Sequence, residues 1–240
     1  MTALFNHAEK FYDLKDNPCK KVDKMGRPNA KELNFWTKDE YEQFIQGFSP
    51  DEEMYRIIFQ MLFWLGCRVG ELLALTSQDI DFENGTVNIS KTYYRRNQTD
   101  YLTPPKTESS NRKITIPKFL VEERKDFVDR QYELTPEDRI FPITDRAIQK
   151  KMKLAKLKLI RVHDLRHSHI ALLIEKGMQP LVIAQRVGHD SVNTTMNIYG
   201  HLYPNKQKQV ADLLNAEATG EPESNLVDMA TEMRFRKAGG

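Results

Sequence analysis

A β-hairpin signal set among helical patterns most limits the folds open to this chain. In DIDFENGTVNI, residues 79–89, an Asn84–Gly85 pair lies between two short runs in which apolar and polar residues alternate. Asn-Gly flanked by such alternation favours a two-residue hairpin turn. Another alternating run, NRKITIP at residues 111–117, predicts a third strand. The alternating apolar residues are Ile80, Phe82, Val87, Ile89, Ile114 and Ile116.

Helical patterns lie on both sides of this sheet. Thr37 with Glu40 and Ser49 with Glu52 are spaced as capping boxes. The second box opens the apolar run EEMYRIIFQMLFWL, which Gly66 ends. We predict helices over residues 1–15, 52–65, 119–132, 144–158, 164–176, 180–187 and 192–199, and a short one that ends at Leu75. The predicted fold class is mainly α with a small antiparallel β-sheet.

The composition is that of a soluble globular protein. The 240 residues, 40% of them apolar, suit one well-packed domain with extra pieces at its ends. No apolar run approaches the roughly 20 residues that span a bilayer, and the charged N-terminus is not a secretory signal. Because Cys19 and Cys67 are the only cysteines, we expect reduced thiols and a cytoplasmic protein rather than disulfides.

Basic residues are concentrated in one segment, although the formal net charge is only +2. RAIQKKMKLAKLKLIR, residues 146–161, has seven bases and no acid. Such a segment fits a surface that faces phosphates. It also fits a solvated helix face, because Ile148, Met152, Ala155 and Leu159 form an apolar stripe with the lysines elsewhere. The pattern alone leaves both interpretations open.

The stretch HDLRHSHIALLIEKG, which begins at residue 163, brings three histidines and an arginine to the start of a helix. His163 and His167 are four residues apart, the spacing at which two imidazoles can share a metal ion. Arg166 would lie between them, and a fixed cation beside a metal is electrostatically unfavourable, while His169 would lie on the other side of the helix. We therefore predict no metal site. His163 and Arg166 suit a phosphate better, since a helix N-terminus adds free N–H groups.

Four further residues could take part in chemistry. Arg68 lies between two apolar helical runs in LFWLGCRVGELLAL, one turn before Glu71. Lys106 lies in the polar loop TPPKTESS, before a strand. His189 follows a helix-ending glycine in RVGHDS, and Tyr199 comes ten residues later in TTMNIYGH. Singly, each has an ordinary explanation: an ion pair, an exposed loop lysine, a capping histidine and a half-buried core tyrosine.

Taken together and in this order, these residues resemble the tyrosine recombinase (phage integrase) family. The resemblance rests on GCRVGELLALTSQDID, PKT…R, HDLRHSHIALLIEKG and VGHDSVNTTMNIYGHLYP. The resemblance covers residues 34 to about 215. The motifs in this range are similar to those of integrases from Gram-positive phages and conjugative transposons. It implies the tyrosine recombinase catalytic domain fold, with helices around a small sheet, in agreement with the patterns above.

The resemblance also implies how the chain is divided. Residues 34–215 would be the catalytic domain, and residues 216–240 a C-terminal tail that docks on a neighbouring protomer. Residues 16–33 would be a linker. Residues 1–15 would be the last helix of a core-binding domain that is otherwise absent.

The resemblance implies a role for each of the matching polar residues. Tyr199 would be the nucleophile that attacks a DNA phosphate, which gives a 3′-phosphotyrosyl link and a free 5′-hydroxyl. Arg68 and Arg166 would bind the non-bridging phosphate oxygens and offset the charge of the transition state. Lys106 would be the general acid for the leaving oxygen.

Three supporting roles complete the implied site. His163 would assist proton transfer, His189 would hydrogen-bond the phosphate, and Glu71 would orient the site. No cofactor and no metal would be needed, because the arginines and the lysine neutralise the phosphate charge. Tyr203 is a competing nucleophile, but Tyr199 is preferred because its interval from His189 matches the family motif. His167 is expected to be structural, and His169, the third histidine of the helix, to have no catalytic counterpart.

The function implied is site-specific DNA recombination for the integration or excision of a mobile element. The implied partners are double-stranded DNA, a homotetramer assembled on DNA, and an excisionase or DNA-bending protein, without a membrane. A non-cleaving DNA-binding fragment is one alternative, and the full set of polar residues weighs against it. A type IB topoisomerase-like enzyme is the other alternative. The HDLRH and GH…Y motifs are of the recombinase type and weigh against it.

Overall fold

The computed structural model describes residues 2–21, 33–105, 107–130, 135–153 and 157–219. Contacts within the chain separate two units, divided between Leu33 and Asn34. The α-helices are α1 (Thr2–Phe11), α2 (Lys38–Gln46), α3 (Glu53–Leu65), α4 (Val69–Leu73), α5 (Lys118–Asp129), α6 (Asp145–Met152), α7 (Asp164–Glu175), α8 (Pro180–Val187), α9 (Val192–Tyr199) and α10 (Gln207–Thr219). The strands are β1 (Ile80–Asp81), β2 (Thr86–Ile89), β3 (Thr92–Arg96), β4 (Thr99–Thr103) and β5 (Arg112–Thr115). Among the described residues, none of the helices combines the length and the apolar composition needed to cross a bilayer.

The first unit packs the residues after α1 back onto that helix. Asn17 is buried and donates its backbone N–H to Oε1 of Glu9 at 2.9 Å. Helix α1 stops short of its predicted end, since Asp13 has a φ of 52°, in the left-handed region that interrupts a helix. The first residues of the predicted linker 16–33 therefore contact α1, and residues 22–32 lie outside the described residues.

Helix α3 is the central element of the second unit, because its side chains are almost all apolar. It contacts α2, α4, α5 and α7. Phe63 stacks on Tyr41 of α2 with ring centroids 3.7 Å apart. Both predicted capping boxes are present at the starts of α2 and of the turn that leads into α3. The buried residues of α3 are Ile57, Ile58, Phe59, Gln60, Met61, Leu62, Phe63 and Leu65.

The predicted hairpin and third strand are confirmed, but the loop of the hairpin is longer than the expected two-residue turn. Asp81 pairs with Thr86, so four residues, 82–85, connect the two strands. Strands β1, β2 and β5 form an antiparallel sheet in that order, with Val87 paired to both Ile80 and Ile114. Gly85 in the turn has a φ of 59°, which a residue without a side chain adopts without strain. The apolar face of the sheet is buried against the helices, as the alternation predicts.

A second hairpin, β3–β4, was not predicted from the sequence. It pairs Arg96 with Thr99 across a two-residue turn in which Asn97 and Gln98 have φ values of 49° and 64°. Two positive φ angles are typical of a type I′ hairpin turn, for which the usual sequence signal is Asn-Gly. Because glutamine stands where glycine is expected, the pattern did not identify this turn.

The later helices lie close to the predicted ranges, with two differences. Helix α6 ends at Met152 rather than at residue 158. Ile148 and Met152 of the predicted apolar stripe are buried, but Leu159 is 65% exposed and Ala155 lies outside the described residues. Helix α10 was not predicted and runs across residue 215, the proposed end of the catalytic domain.

Replacing Gly66 with alanine is expected to destabilise the fold strongly. Gly66 ends α3 with a φ of 66°, and a Cβ atom there would lie 2.3 Å from Cδ2 of His169. The matched control is Gly177→Ala, because Gly177 also has a positive φ of 75° but nothing lies within 4 Å of the added atom. We expect urea unfolding to show losses of about 1 kcal/mol for Gly177→Ala and about 3 kcal/mol for Gly66→Ala. Equal losses would show that the contact with His169 is not close.

Candidate active site

The side chain of Arg166 is buried where α3 ends and α7 begins. Its Nη1 donates to the carbonyl oxygen of Gly66 at 2.9 Å, and the residue is 3% exposed. Its Nη2 is also buried, and it has no hydrogen-bond partner among the described residues. Burial, followed by the charge of Arg68, lowers the pKa of Arg166 to about 10, so the guanidinium is charged at neutral pH. Arg166 thus presents a charged donor inside the protein.

The buried carboxylate of Glu71 binds two arginines. Arg68, just before α4, donates its backbone N–H to Oε2 at 2.9 Å and places Nη1 2.6 Å from Oε1. Arg112, at the start of β5, donates from Nη2 to Oε2 at 2.9 Å. Burial raises the pKa of Glu71, but the guanidinium of Arg112 and then Arg68 outweigh it and hold that pKa below its usual value. Arg68 keeps 39% of its side chain exposed, so its guanidinium remains accessible.

The same two arginines hold the loop that follows α8. Arg112 donates from Nε to the carbonyl oxygen of Arg186 at 2.8 Å, and Arg68 donates from Nη2 to that of Gly188 at 3.3 Å. Gly188 has a φ of 70°, and a Cβ atom there would lie 2.9 Å from Nη1 of Arg112. Only glycine therefore fits this close approach, which fixes the position of His189, the next residue.

His189 is held as a neutral imidazole. Its Nδ1 lies 2.8 Å from Oγ1 of Thr195, a buried residue of α9. Burial, and then the charges of Arg166 and Arg68, lower the pKa of His189 to about 4. When the threonine hydroxyl donates to Nδ1, the ring proton is on Nε2, from which it can be donated to an anion.

Tyr199 ends α9 and is 2% exposed. Its hydroxyl is hydrogen-bonded to Nδ1 of His167 on α7. Burial raises the pKa of Tyr199 against the opposing effect of Arg166, so the phenol is protonated at neutral pH. Tyr203 differs, because its hydroxyl is buried and has no hydrogen-bond partner among the described residues. The structure therefore brings Tyr199, rather than Tyr203, into contact with the HDLRH segment.

The other two histidines of the stretch HDLRHSHIALLIEKG, His163 and His169, point in different directions. His163 is exposed and lies beside His167, with perpendicular rings whose centroids are 5.3 Å apart. The surrounding protein displaces water from one side of His163 and, with His167 and Arg166, lowers its pKa to about 4. His169 is buried on the opposite side of α7, where its Nε2 accepts a hydrogen bond from Nε of Arg186 at 3.1 Å.

Lys106 lies outside the described residues, but the segment that follows it does not. Oγ1 of Thr107 lies 3.0 Å from Oγ of Ser110, and the hydroxyl of Ser109 donates to the carboxylate of Asp190. Asp190 directly follows His189 in the chain. The residues after Lys106 are therefore joined to the His189 loop.

The basic segment 146–161 is only partly available for an anion. Lys151 forms an ion pair with Glu52, and Arg161 forms one with Asp164. Other bases of the segment are exposed, among them Arg146, Lys150, Lys153 and Lys158.

The site as a whole is cationic. The guanidinium groups of Arg68, Arg112 and Arg166 surround a single buried carboxylate, that of Glu71. A surplus of positive charge and a buried donor suit an anion with several oxygens, of which phosphate is the common biological case. Within the described parts of the chain, no group of three or more His, Cys, Asp or Glu side chains could hold a metal ion.

Two residues of this site had no role in the sequence interpretation. His167 was expected to be structural, yet its imidazole contacts the hydroxyl of Tyr199. The four-residue spacing from His163 was a usable signal, because it placed both imidazoles on one helix face, but it was weighed only for metal binding. Arg112 was part of the PKT…R pattern without a stated function, and it proves to bind Glu71.

Removing the charge of Glu71 is expected to destabilise the protein in a pH-dependent way. Glu71→Gln leaves two guanidinium groups without their carboxylate, which we expect to cost about 3 kcal/mol at pH 7. Because the pKa of Glu71 is lowered by folding, its ionised form stabilises the native state above about pH 4.5, and this contribution is lost as the pH falls through the folded value. Urea unfolding should show a deficit at pH 7 that shrinks below pH 4.5.

The control for this variant is Glu42→Gln. Glu42 pairs with Lys38 at 3.0 Å, but both side chains are about half exposed. Exposed pairs contribute little, so this variant should unfold almost as the wild type does. A deficit of Glu71→Gln that stayed constant from pH 7 to pH 3 would contradict a role for the ionised carboxylate.

Comparison with known proteins places this chain in a known family. The model of the phage integrase family matches residues 34–206. The chain is 34% identical over 232 residues to the ICEBs1 integrase of Bacillus subtilis (strain 168), covering 90% of this chain and 63% of the relative. It is 27% identical over 255 aligned positions to the integrase of Staphylococcus phage L54a, covering 89% and 71% of the two chains. The chain thus spans less than two thirds of the length of the ICEBs1 integrase.

Solved structures share the fold. The Tn1549 transposon integrase, in complex with transposon right end DNA, is similar with a TM-score of 0.67 and 23% identity, over 90% of this chain and 76% of that one. The catalytic domain of bacteriophage HP1 integrase gives a TM-score of 0.52 and 16% identity, over 81% and 98%. The predicted fold class, a mainly α tyrosine recombinase catalytic domain with a small antiparallel sheet, is thereby confirmed. The chain belongs to the phage integrase family, the tyrosine recombinases of phages and conjugative transposons.

Proposed function

We propose that the chain is the catalytic part of a site-specific DNA recombinase, an integrase that cleaves and rejoins DNA through a 3′-phosphotyrosyl intermediate to integrate or excise a mobile element. One observation carries the proposal: Nη2 of Arg166 is a buried, charged donor without a partner among the described residues, and the charge of Arg166 acts on the buried phenol of Tyr199. A non-bridging oxygen of a DNA phosphate is the ligand that this donor matches.

The proposed cleavage step starts at the hydroxyl oxygen of Tyr199. This oxygen attacks the scissile phosphorus, a bond from phosphorus to the tyrosine forms, and the bond to the 5′-oxygen breaks. Negative charge grows on the non-bridging oxygens, where Arg166 and the accessible guanidinium of Arg68 offset it. His189, neutral and with Nε2 free to donate, adds a hydrogen bond to the same phosphate.

The leaving 5′-oxygen needs a proton, and we assign that role to Lys106. The segment after Lys106 is joined to Asp190, beside His189, which would bring the ammonium to the phosphate side of the site. His163 is assigned to assist proton transfer on this side, and Glu71 to orient Arg68. The phosphotyrosyl bond stores the energy of the phosphodiester, so a 5′-hydroxyl of another strand can rejoin the DNA.

Family relationships support the proposal in outline. The relatives are integrases by name, and a related recombinase, XerH, has been solved bound to its difH substrate. We propose residues 34–215 as the catalytic domain, residues 16–33 as a linker, and residues 1–15 as the last helix of a core-binding domain. Both arginine–carboxylate contacts and the candidate nucleophile lie in the first of these segments.

The proposed partners are double-stranded DNA and three further copies of the protein, forming a tetramer on DNA in the cytoplasm. Helix α10 supports docking of the C-terminal tail, residues 216–240 included, on a neighbouring protomer. Its apolar residues Val210, Leu213 and Leu214 are all exposed. An excisionase or DNA-bending protein would complete the assembly.

Changing Tyr199 to phenylalanine is expected to abolish covalent attachment to DNA. A suicide substrate, a nicked duplex of the element's own end sequence that loses its 5′ fragment on cleavage, traps the phosphotyrosyl product for detection on a denaturing gel. The wild-type chain should form the adduct, and Tyr199→Phe should not, because it lacks the attacking oxygen. Tyr203→Phe is the matched control and should keep the adduct.

The alternatives predict different outcomes. An adduct from Tyr199→Phe, or none from a wild-type chain that binds the duplex, would contradict the proposal, and the second result is the one expected of a non-cleaving DNA-binding fragment. An enzyme that relaxes supercoiled plasmid but exchanges no strands between two sites would be topoisomerase-like. The proposal requires both the adduct and strand exchange.

A further inference from the structure

The phenol of Tyr199 has a partner that the proposed mechanism has not used. Its hydroxyl is hydrogen-bonded to Nδ1 of His167, whose side chain is only 15% exposed. The two rings are tilted by 50°, with centroids 5.7 Å apart. His167 therefore touches the atom that would attack phosphorus.

The surroundings of His167 determine which of its nitrogens carries the proton. Oδ1 of Asp164, one turn earlier on α7, lies 3.8 Å from Nε2 of His167. Burial raises the pKa of Asp164, but hydrogen bonds from the backbone and guanidinium of Arg161 outweigh it and keep this carboxylate ionised. A carboxylate favours the proton on the nearer nitrogen, Nε2. The lone pair of Nδ1 then faces Tyr199, whose O–H donates to it.

We propose that His167 is the general base for Tyr199, removing the phenolic proton as the oxygen attacks the phosphate and returning it when the DNA is rejoined. This inference rests on the recombinase function proposed above. In cleavage, the O–H bond of Tyr199 breaks as its oxygen bonds to phosphorus, and the proton moves to Nδ1 of His167. The imidazolium so formed has a proton on each nitrogen and lies beside Asp164, which stabilises it.

The resting site keeps the nucleophile protonated. Burial lowers the pKa of His167, although Asp164 opposes this, and burial raises the pKa of Tyr199. Proton transfer between the two is therefore unfavourable in the free protein. The transfer becomes favourable only during attack, because the forming bond with phosphorus draws away the negative charge that loss of the proton leaves on the phenol oxygen. An imidazole in contact with the phenol thus acts during attack rather than before it.

His163 does not take this position. It was expected to assist proton transfer, but its ring lies against that of His167, and among the described residues it has no hydrogen bond to Tyr199. His163 can serve the phosphate or the leaving oxygen, while His167 serves the nucleophile. The two imidazoles on this face of α7 would therefore serve different groups of the reaction.

The test measures single-turnover adduct formation by His167→Asn on the suicide substrate. Asparagine can accept the phenolic hydrogen bond at the Nδ1 position but cannot carry the proton away. We expect a loss of about 100-fold or more in the rate, with unchanged affinity for DNA. His201→Asn is the matched control, because His201 is an exposed histidine two residues after the nucleophile, and it should react at the wild-type rate. His167→Gln is the second replacement should His167→Asn not fold.

A second measurement separates a base from a residue that only holds the ring. Tyr199 is replaced by 3,5-difluorotyrosine, whose phenol is far more acidic and depends less on a base. In the His167→Asn background this replacement should recover much of the lost rate. A His167→Asn rate within threefold of the wild type, or a loss that the fluorinated phenol leaves unchanged, would overturn the inference. Absence of an adduct from the wild-type chain would instead refute the recombinase function itself.

Discussion

The hydrogen bond from Nη1 of Arg166 to the carbonyl oxygen of Gly66 is the contact on which the site depends. It joins the end of α3, the most buried helix, to the first turn of α7. Because Gly66 has no side chain, His169 can pack closely against it, where a Cβ atom would lie 2.3 Å from Cδ2 of His169. In the part of the chain that the structure describes, Nη2 of Arg166 has no hydrogen-bond partner, so it can bind a ligand without a change of backbone.

Holding a charged guanidinium inside a protein is unfavourable unless its charge is compensated. Here the compensation is incomplete, since Glu71 forms its ion pairs with Arg68 and Arg112. Among the described residues, the hydrogen-bond partner of Arg166 is a carbonyl oxygen. The native fold therefore carries a positive surplus that an anionic ligand would neutralise. Functional sites commonly retain such uncompensated groups at some expense of stability. Burial, and then the same positive charges, lower the pKa of His189 and keep it neutral.

Local signals made much of this fold predictable. Asn84–Gly85 identified the first hairpin, and Thr37 with Glu40 identified the start of α2, because these features depend on neighbours in sequence. The second hairpin was missed because Gln98 carries the positive φ where glycine is usual. The polar residues of the site were predicted through the family that their order and spacing resemble. The contact between His167 and Tyr199 joins two helices, so no local pattern could reveal it.

The central claim, that Arg166 binds the scissile phosphate, is tested most directly by a crystal structure of Tyr199→Phe bound to an uncleaved duplex of its recombination site. The account predicts Nη2 of Arg166 and the guanidinium of Arg68 at about 3 Å from the non-bridging oxygens of one phosphate, with the ring at position 199 facing its phosphorus. A complex in which DNA is bound while Nη2 of Arg166 contacts protein alone would contradict it.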